Sequence, residues 1–399
     1  MDLDSALRSV ASVSGRAPSP RGVVLLRSRA YARMQSSSVV RWAIYRCPKS
    51  PSEPTLSQRT NIRFHVQTRG VFFDNLSKPT GRRPKPGSFD QVEAAMTVAF
   101  HPDLARVARV LPHGVGTQPW RGILKVVFPV LCGGLGGFPR ERAKIAEGVE
   151  VFFARAGDGP RPTLFWVHGG GYIFGDARMD GGFLQQFVTG LKMNVVSVQY
   201  RFAEKHPFPT PLDDCMRAYA WTVEQDFVEA SSIVVAGNSA GGGLAAALCQ
   251  RIAREGPKQQ PLAQILIAPM LDDRSSDSAS VPDEALRIWN RKSNRYGWGC
   301  YLAGHDRDAP PDFAVPARAE KLGKLPPAWI GVGTLDLFHE ENRAYAERLR
   351  AAGSAVELHA VEGGFHAFSD FAAGAPVSRD FNDAMMGFLR GVLRAPRAL

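Results

Sequence analysis

Near the middle of the chain, Gly237-Asn238-Ser239-Ala240-Gly241 sets a serine between two glycines. The short apolar run Ile233–Ala236 precedes it, and Gly242 to Arg254, rich in good helix formers, follows. That order predicts a strand, a sharp turn and a helix, with Ser239 at the apex. Glycine lacks a Cβ, so strand and helix can approach closely and the serine can hold a strained backbone. A serine oxygen placed there lies at a helix N-terminus, whose N–H groups favour a developing negative charge. The chemistry this suits is nucleophilic attack on a carbonyl carbon. By itself the pentapeptide also suits an ordinary strand-to-helix turn. A serine nucleophile needs a base, an acid and oxyanion donors from elsewhere in the chain.

A second cluster, His168-Gly169-Gly170-Gly171-Tyr172, directly follows the apolar run Pro162–Val167. Three glycines let a loop carry backbone N–H groups toward a substrate oxygen, where they would join the N–H of Ala240. No Gly-Lys-Ser/Thr or GxGxxG accompanies them, which disfavours phosphate binding. His168 is expected to anchor this loop by hydrogen bonding. Asp336 lies just past the apolar run at 328–332, and His366 lies in Gly363-Gly364-Phe365-His366, just past the run at 356–361. His366 alone among the nine histidines combines a position after Ser239, a strand end and a Gly-flanked loop. His359 falls inside a predicted strand and reads as structural, while His339 is the main competitor as base. Asp272, Asp273 and Glu340 compete with Asp336 as the acid. No HExxH, CxxC or dense carboxylate–histidine cluster occurs, so no metal is expected.

These residues need a scaffold that delivers them to one edge. Strands are predicted at 148–155, 162–167, 194–200, the run before Ser239, 263–268, 328–332 and 356–361. Helices are predicted at 213–224, 340–352 and 379–393, the second stopping at Gly353 as a C-cap should. Alternation of this kind predicts an α/β fold with a mostly parallel sheet covered by helices on both faces. Ligands in such sheets bind beyond the carboxyl ends of the strands, where Ser239, Asp336 and His366 all fall. Residues 96–145 are expected to form helices ahead of the sheet, including an amphipathic one over 102–111. The irregular stretch 271–326, with Trp289, Tyr296, Trp298 and Tyr301, is long for a loop and is expected to carry helices over the ligand end.

Taken in order, these motifs resemble the hormone-sensitive-lipase family of α/β-hydrolases, a group containing many bacterial carboxylesterases. The resemblance spans roughly 96–396. It rests on His168–Gly171, Gly237–Gly242, Tyr200-Arg201-Phe202-Ala203-Glu204-Lys205-His206-Pro207-Phe208-Pro209, Pro269–Arg274, Leu335-Asp336 and Gly364-Phe365-His366. It implies an α/β-hydrolase fold with a helical cap from about 96–145 and 272–315. It assigns Ser239 as nucleophile, His366 as general base and Asp336 as its orienting acid. It assigns the oxyanion hole to the backbone of Gly170, Gly171 and Ala240, with His168 and Gly169 supporting the loop. The implied activity is hydrolysis of short- to medium-chain acyl esters through an acyl-enzyme, without a cofactor. Asn238 stands where many members have Asp, and Glu204-Lys205 where the family usually has Pro-Glu. An amide, carbamate or thioester substrate would use the same chemistry, and some relatives of this fold are receptors without catalysis.

The formal charge of +11 would suggest a nucleic-acid partner if it were spread over the chain. It is not: residues 1–95 hold 16 Lys and Arg against 6 Asp and Glu, and the remainder holds 33 against 32. The basic extension lacks aromatic interleaving, so no nucleic-acid partner is expected. Its Ser, Arg and Pro content predicts low order over 1–95, and Met96 is a candidate start. Cys47, Cys132, Cys215, Cys249 and Cys300 are scattered and read as reduced thiols, with Cys249 a core residue. No apolar run reaches 18 residues, so no membrane span is expected. A cytoplasmic protein is the expectation, and the sequence leaves its oligomeric state open, a homodimer included. Limited proteolysis that removes residues 1–95 is expected to leave ester hydrolysis undiminished. A loss of turnover on cleavage would show that the extension serves the enzyme.

Overall fold

Leu164-Phe165-Trp166-Val167 presents no polar residue, so a strand made from it must be covered on both faces. The computed structural model does this. It describes residues 99–117, 119, 122–123, 138–139, 141–256 and 260–395. The extension 1–95, Met96, Cys47 and Cys132 lie outside the described residues, as does part of 96–145. Eight strands form one sheet: β1 (Glu141–Ala146), β2 (Val149–Ala154), β3 (Arg161–Val167), β4 (Asn194–Gln199), β5 (Val228–Asn238), β6 (Ala263–Ile267), β7 (Ala328–Gly333) and β8 (Val356–Val361). Their spatial order is β1-β2-β4-β3-β5-β6-β7-β8. The β1–β2 and β2–β4 pairs are antiparallel and all others parallel. The fold is that of an α/β-hydrolase.

Successive side chains of a strand point to opposite faces. Phe165 and Val167 therefore join Val196, Val198, Ile233 and Val235 on one side. There they pack against α3 (Thr210–Val223), α4 (Ala240–Glu255) and α7 (His339–Ala351), through residues such as Leu212, Leu248 and Leu349. Leu164 and Trp166 face the other way with Val195, Val234 and Ile265. Leu184 and Phe187 of α2 (Gly181–Gly190) and Phe381, Met385 and Leu389 of α9 (Pro376–Arg394) cover that side. The remaining helices are short or lie over the strand ends: α1 (Ala105–Ala108), α5 (Ser275–Ser278), α6 (Arg291–Tyr301) and α8 (Phe368–Phe371).

The chain steps from β3 to β4 on one side, then crosses to β5 on the other side of β3. This reversal separates the loops after β3 and β5, opening a crevice at the carboxyl edge of the sheet. The same edge carries the loops after β6, β7 and β8, because these strands run parallel to β5.

Two expectations need correction. Residues 141–146 form an edge strand rather than a helix. Its sequence, Glu-Arg-Ala-Lys-Ile-Ala, is half charged and has no fully buried residue, so it carries almost no apolar alternation. Charge on an edge strand discourages pairing with another chain, which explains the weak pattern. The helix over 102–111 shrinks to Ala105–Ala108, and Pro112 closes the segment that follows. Cys215 and Cys249 are buried and Cys300 is half-buried, all three as free thiols. Among the described residues, no helix is long and apolar enough to cross a membrane.

One buried ion pair ties the loop after β4 to α3. Arg201 donates to Asp214 Oδ2 from its backbone N–H at 3.0 Å and from Nε at 2.9 Å, and to Oδ1 from Nη2 at 2.7 Å. Asp214 is fully buried, and Arg217 also reaches it. Removing one partner of such a pair strands the other without compensation. Asp214→Ala is expected to lower stability by about 3 kcal/mol, read from the urea midpoint at unchanged slope.

Candidate active site

Glycine decides the local geometry at Ser239. A Cβ on Gly241 would lie 2.1 Å from the Val167 carbonyl oxygen, and one on Gly237 would lie 2.4 Å from that of Gly241. Only glycine lets α4 start this close to β3 and β5. Ser239 itself has φ 52° and ψ −123°, a conformation that L-residues adopt only under constraint. Its N–H donates to the Ile267 carbonyl at 2.8 Å. Its carbonyl accepts from Met270 at 2.9 Å and Gly243 at 3.0 Å. The backbone is thus held from β6 and α4 together, and the side chain projects into the crevice.

The three residues picked from the sequence meet there. His366 Nε2 lies 3.0 Å from Ser239 Oγ, and His366 Nδ1 lies 2.8 Å from Asp336 Oδ2. Asp336 Oδ1 accepts the Phe338 N–H at 3.0 Å. Asp336 is 1% and His366 5% exposed, so this chain of hydrogen bonds is shielded from water except at the serine. The Phe338 ring meets the imidazole edge-on at 5.2 Å and limits its rotation.

The competing residues are engaged elsewhere. Asp273 is buried between Arg307 and Arg318, and Asp272 pairs with Arg274. His339 and Glu340 bond each other, and Glu340 also holds Arg343. His359 stacks on Trp329 in the last strand.

The glycine loop after β3 runs beside the serine. Gly170 has φ 113° and Gly171 φ 59°. A Cβ on Gly170 would lie 1.9 Å from the Phe174 carbonyl oxygen, and one on Gly171 would lie 2.0 Å from the Trp289 ring. Among the described residues, the N–H groups of Gly170, Gly171 and Ala240 have no acceptor, while Gly170, Gly171 and Ser239 all line one cavity. His168 lies beneath the loop. Its Nδ1 donates to the Gly169 carbonyl at 2.7 Å, which fixes the proton on that nitrogen, and its ring stacks on Tyr200 at 4.4 Å. The Tyr200 hydroxyl donates to the His168 carbonyl at 3.0 Å. Burial pushes His168 down to about 4, against the opposing pull of the Gly169 carbonyl and Asp176.

Several supporting residues carry no motif that sequence reasoning picks out. Glu341 accepts the Leu271 N–H at 2.7 Å and the Asp272 N–H at 3.3 Å, and it also accepts from the Ser275 hydroxyl. Burial pushes its carboxyl well above the usual range despite these bonds. Asn342 donates to the Pro269 carbonyl at 2.7 Å. Together they staple the start of α7, just past Asp336, to the loop after β6. Their only sequence signal is two polar residues on the face of α7 that must pack inward.

The cavity over Ser239 has a volume of about 780 Å³. Two distant segments close it. Pro112 and Val115 come from before the sheet, and Ile288 and Trp289 from after β6. They pair with each other: Val115 donates to the Ile288 carbonyl at 2.9 Å and Ile288 to that of Pro112 at 2.7 Å. Tyr172 stacks on Tyr301 of α6 at 4.2 Å and binds the excursion to the glycine loop.

Ser239, His366 and Asp336 thus stand in line at the wall of the cavity, beside the glycine loop after β3. Residues 164–370 match the family described as alpha/beta hydrolase fold. The chain belongs to that family, within its hormone-sensitive-lipase group. It is similar to Esterase LipI of Mycobacterium tuberculosis (strain ATCC 25618 / H37Rv), with 33% identity over 58% of this chain and 73% of that protein. Carboxylesterase NlhH of the same strain is 31% identical over 59% of this chain and 75% of that protein. Among solved structures, a bacterial heroin esterase is similar, with a TM-score of 0.65 and 29% identity, covering 74% of this chain and 98% of that one.

An imidazole buried neutral gives stability a pH dependence. Between about 6.5 and about 4 the unfolded chain binds a proton at His168 that the folded chain does not, so stability falls as pH falls through that window. His168→Gln is expected to flatten the decline by up to about 3 kcal/mol, read from urea melts between pH 7 and pH 4. An acid limb of unchanged slope would mean that His168 is not the residue responsible.

Proposed function

We propose that this chain is a serine carboxylic ester hydrolase, with Ser239 as nucleophile, His366 as base and Asp336 as the acid that orients it. One observation carries the reading: His366 lies within hydrogen-bond distance of both Ser239 Oγ and Asp336, at the wall of a cavity large enough for a small ester. Relatives named esterase and carboxylesterase support the same class.

In the proposed reaction, Ser239 Oγ attacks the ester carbonyl carbon while His366 Nε2 takes its proton. Asp336 keeps the proton of the neutral imidazole on Nδ1 and stabilises the imidazolium that forms. The carbonyl oxygen becomes an oxyanion and is met by the N–H groups of Gly170, Gly171 and Ala240, each such donor being worth about 10²–10³ in rate. Collapse expels the alcohol, protonated by His366, and leaves the acyl group on Ser239. Water, deprotonated by His366, then attacks the acyl-enzyme and releases the acid. The cavity walls Phe174, Phe183, Ile288 and Trp289 are apolar and line a space of small-ligand size, which favours short- to medium-chain acyl groups.

Ser239→Ala is expected to abolish hydrolysis of p-nitrophenyl butyrate while far-UV circular dichroism stays unchanged. Asp336→Asn is expected to reduce kcat by about 10⁴ through loss of the correct imidazole tautomer. A folded Ser239→Ala protein with full turnover would sink the proposal.

A further inference from the structure

The wall of the cavity is mostly apolar, with Phe174, Phe183, Trp289 and Phe371 among its rings. Two carboxyl groups interrupt it, Asp180 and Asp370. No lysine or arginine lines it among the described residues.

The two acids differ in how they are held. Asp180 ends the loop before α2. It accepts the Trp166 indole N–H at 2.8 Å and a bond from the Asn238 side chain. These contacts fix its position beside the serine turn. Asp370 lies on α8, four residues after His366 and next to Phe371. Its carboxylate has no hydrogen-bond partner among the described residues. Asp370 is exposed and lines the cavity. Desolvation raises both carboxyls above the ordinary range. The charge of Asp370 adds to the rise at Asp180, and that of His366 offsets it at Asp370.

A neutral apolar occupant would strip water from both groups and give nothing back. An anionic occupant would meet two like charges. A cationic one would meet both carboxylates, and its remaining surface would meet a wall rich in aromatic rings, whose quadrupoles attract cations. The described lining supplies negative charge and aromatic rings, the chemistry that recognises an ammonium group.

Resting on the esterase reading above, we propose that the cavity selects esters carrying a cationic ammonium group, with Asp370 as the recognising carboxylate and Asp180 fixed beside it. Asp370 is a specificity residue in this view. The reacting bonds still belong to Ser239 and His366.

The test uses the full-length protein at pH 8, above the raised range of both carboxyls. The substrates are acetylcholine and its homologues with three- and four-carbon spacers. Each is paired with the neutral isostere in which carbon replaces the quaternary nitrogen. At least one cation is expected to exceed its isostere by about tenfold or more in kcat/KM, and Asp370→Asn to cut that ratio to about twofold or less. Ratios near one for all three pairs in the unaltered protein overturn the proposal, whatever the variant does. An equal loss on cation and isostere in Asp370→Asn also overturns it, because Asp370 would then serve His366 alone. Should Asp370→Asn not fold, Asp370→Ser takes its place and the ratio in the unaltered protein still decides. Failure of the underlying reading is separate: it would show as no hydrolysis of any isostere or p-nitrophenyl ester.

Discussion

The backbone of Ser239 is held at three points, by the Ile267 carbonyl and by the N–H groups of Met270 and Gly243. These bonds hold the residue at φ 52° against its own preference. The strain is tolerable because α4 and β5 close on each other through glycines, so the sheet and helix packing that hold the turn are not themselves distorted. Much of the site depends on that constraint. The serine side chain reaches the cavity, Ala240 follows at the start of α4, and the glycine loop after β3 can approach within contact of Asn238. A larger residue at Gly241 would push α4 off the Val167 carbonyl and move all three together.

The parallel sheet does the rest of the positioning. Asp336 and His366 follow β7 and β8, which pair in register with β6, itself paired with β5. The distance from Ser239 to His366 is therefore set by strand spacing rather than by loop flexibility. The loop after β7 is further tightened by Glu341 and Asn342, which bind the backbone after β6. These contacts link Asp336, through α7, to the same segment that holds the Ser239 carbonyl.

Much of this is legible in the chain, for a physical reason. A strand buried on both faces must be a continuous apolar run, and Pro162–Val167, Ile233–Ala236 and the run at 328–332 stand out for that reason. A polar residue just past such a run is then conspicuous, as with Ser239 and Asp336, while His366 follows the partly exposed strand β8 and is marked by its glycine-flanked loop. Where burial is one-sided or absent the signal fades. The edge strand Glu141–Ala146 pairs through its backbone and reads as a charged segment. Glu341, Asn342, Asp180 and Asp370 act through tertiary contacts with distant backbone, side chains or cavity, and no local spacing marks them. Residues 102–111 show the opposite error: an amphipathic pattern that yields one turn of helix, because the neighbouring segment is drawn into pairing with Ile288.

That pairing has a consequence for how substrate range can change. Pro112 and Val115 exchange backbone hydrogen bonds with Ile288, and the two stretches stand more than 170 positions apart in the chain. Neither can be reshaped without disturbing the ladder of the other. A grafted loop from a related protein at either stretch would arrive without its matching half. Chain exchange between homologues would then tend to preserve substrate choice only where both halves travel together, so that selectivity behaves as a single inherited trait written in two places.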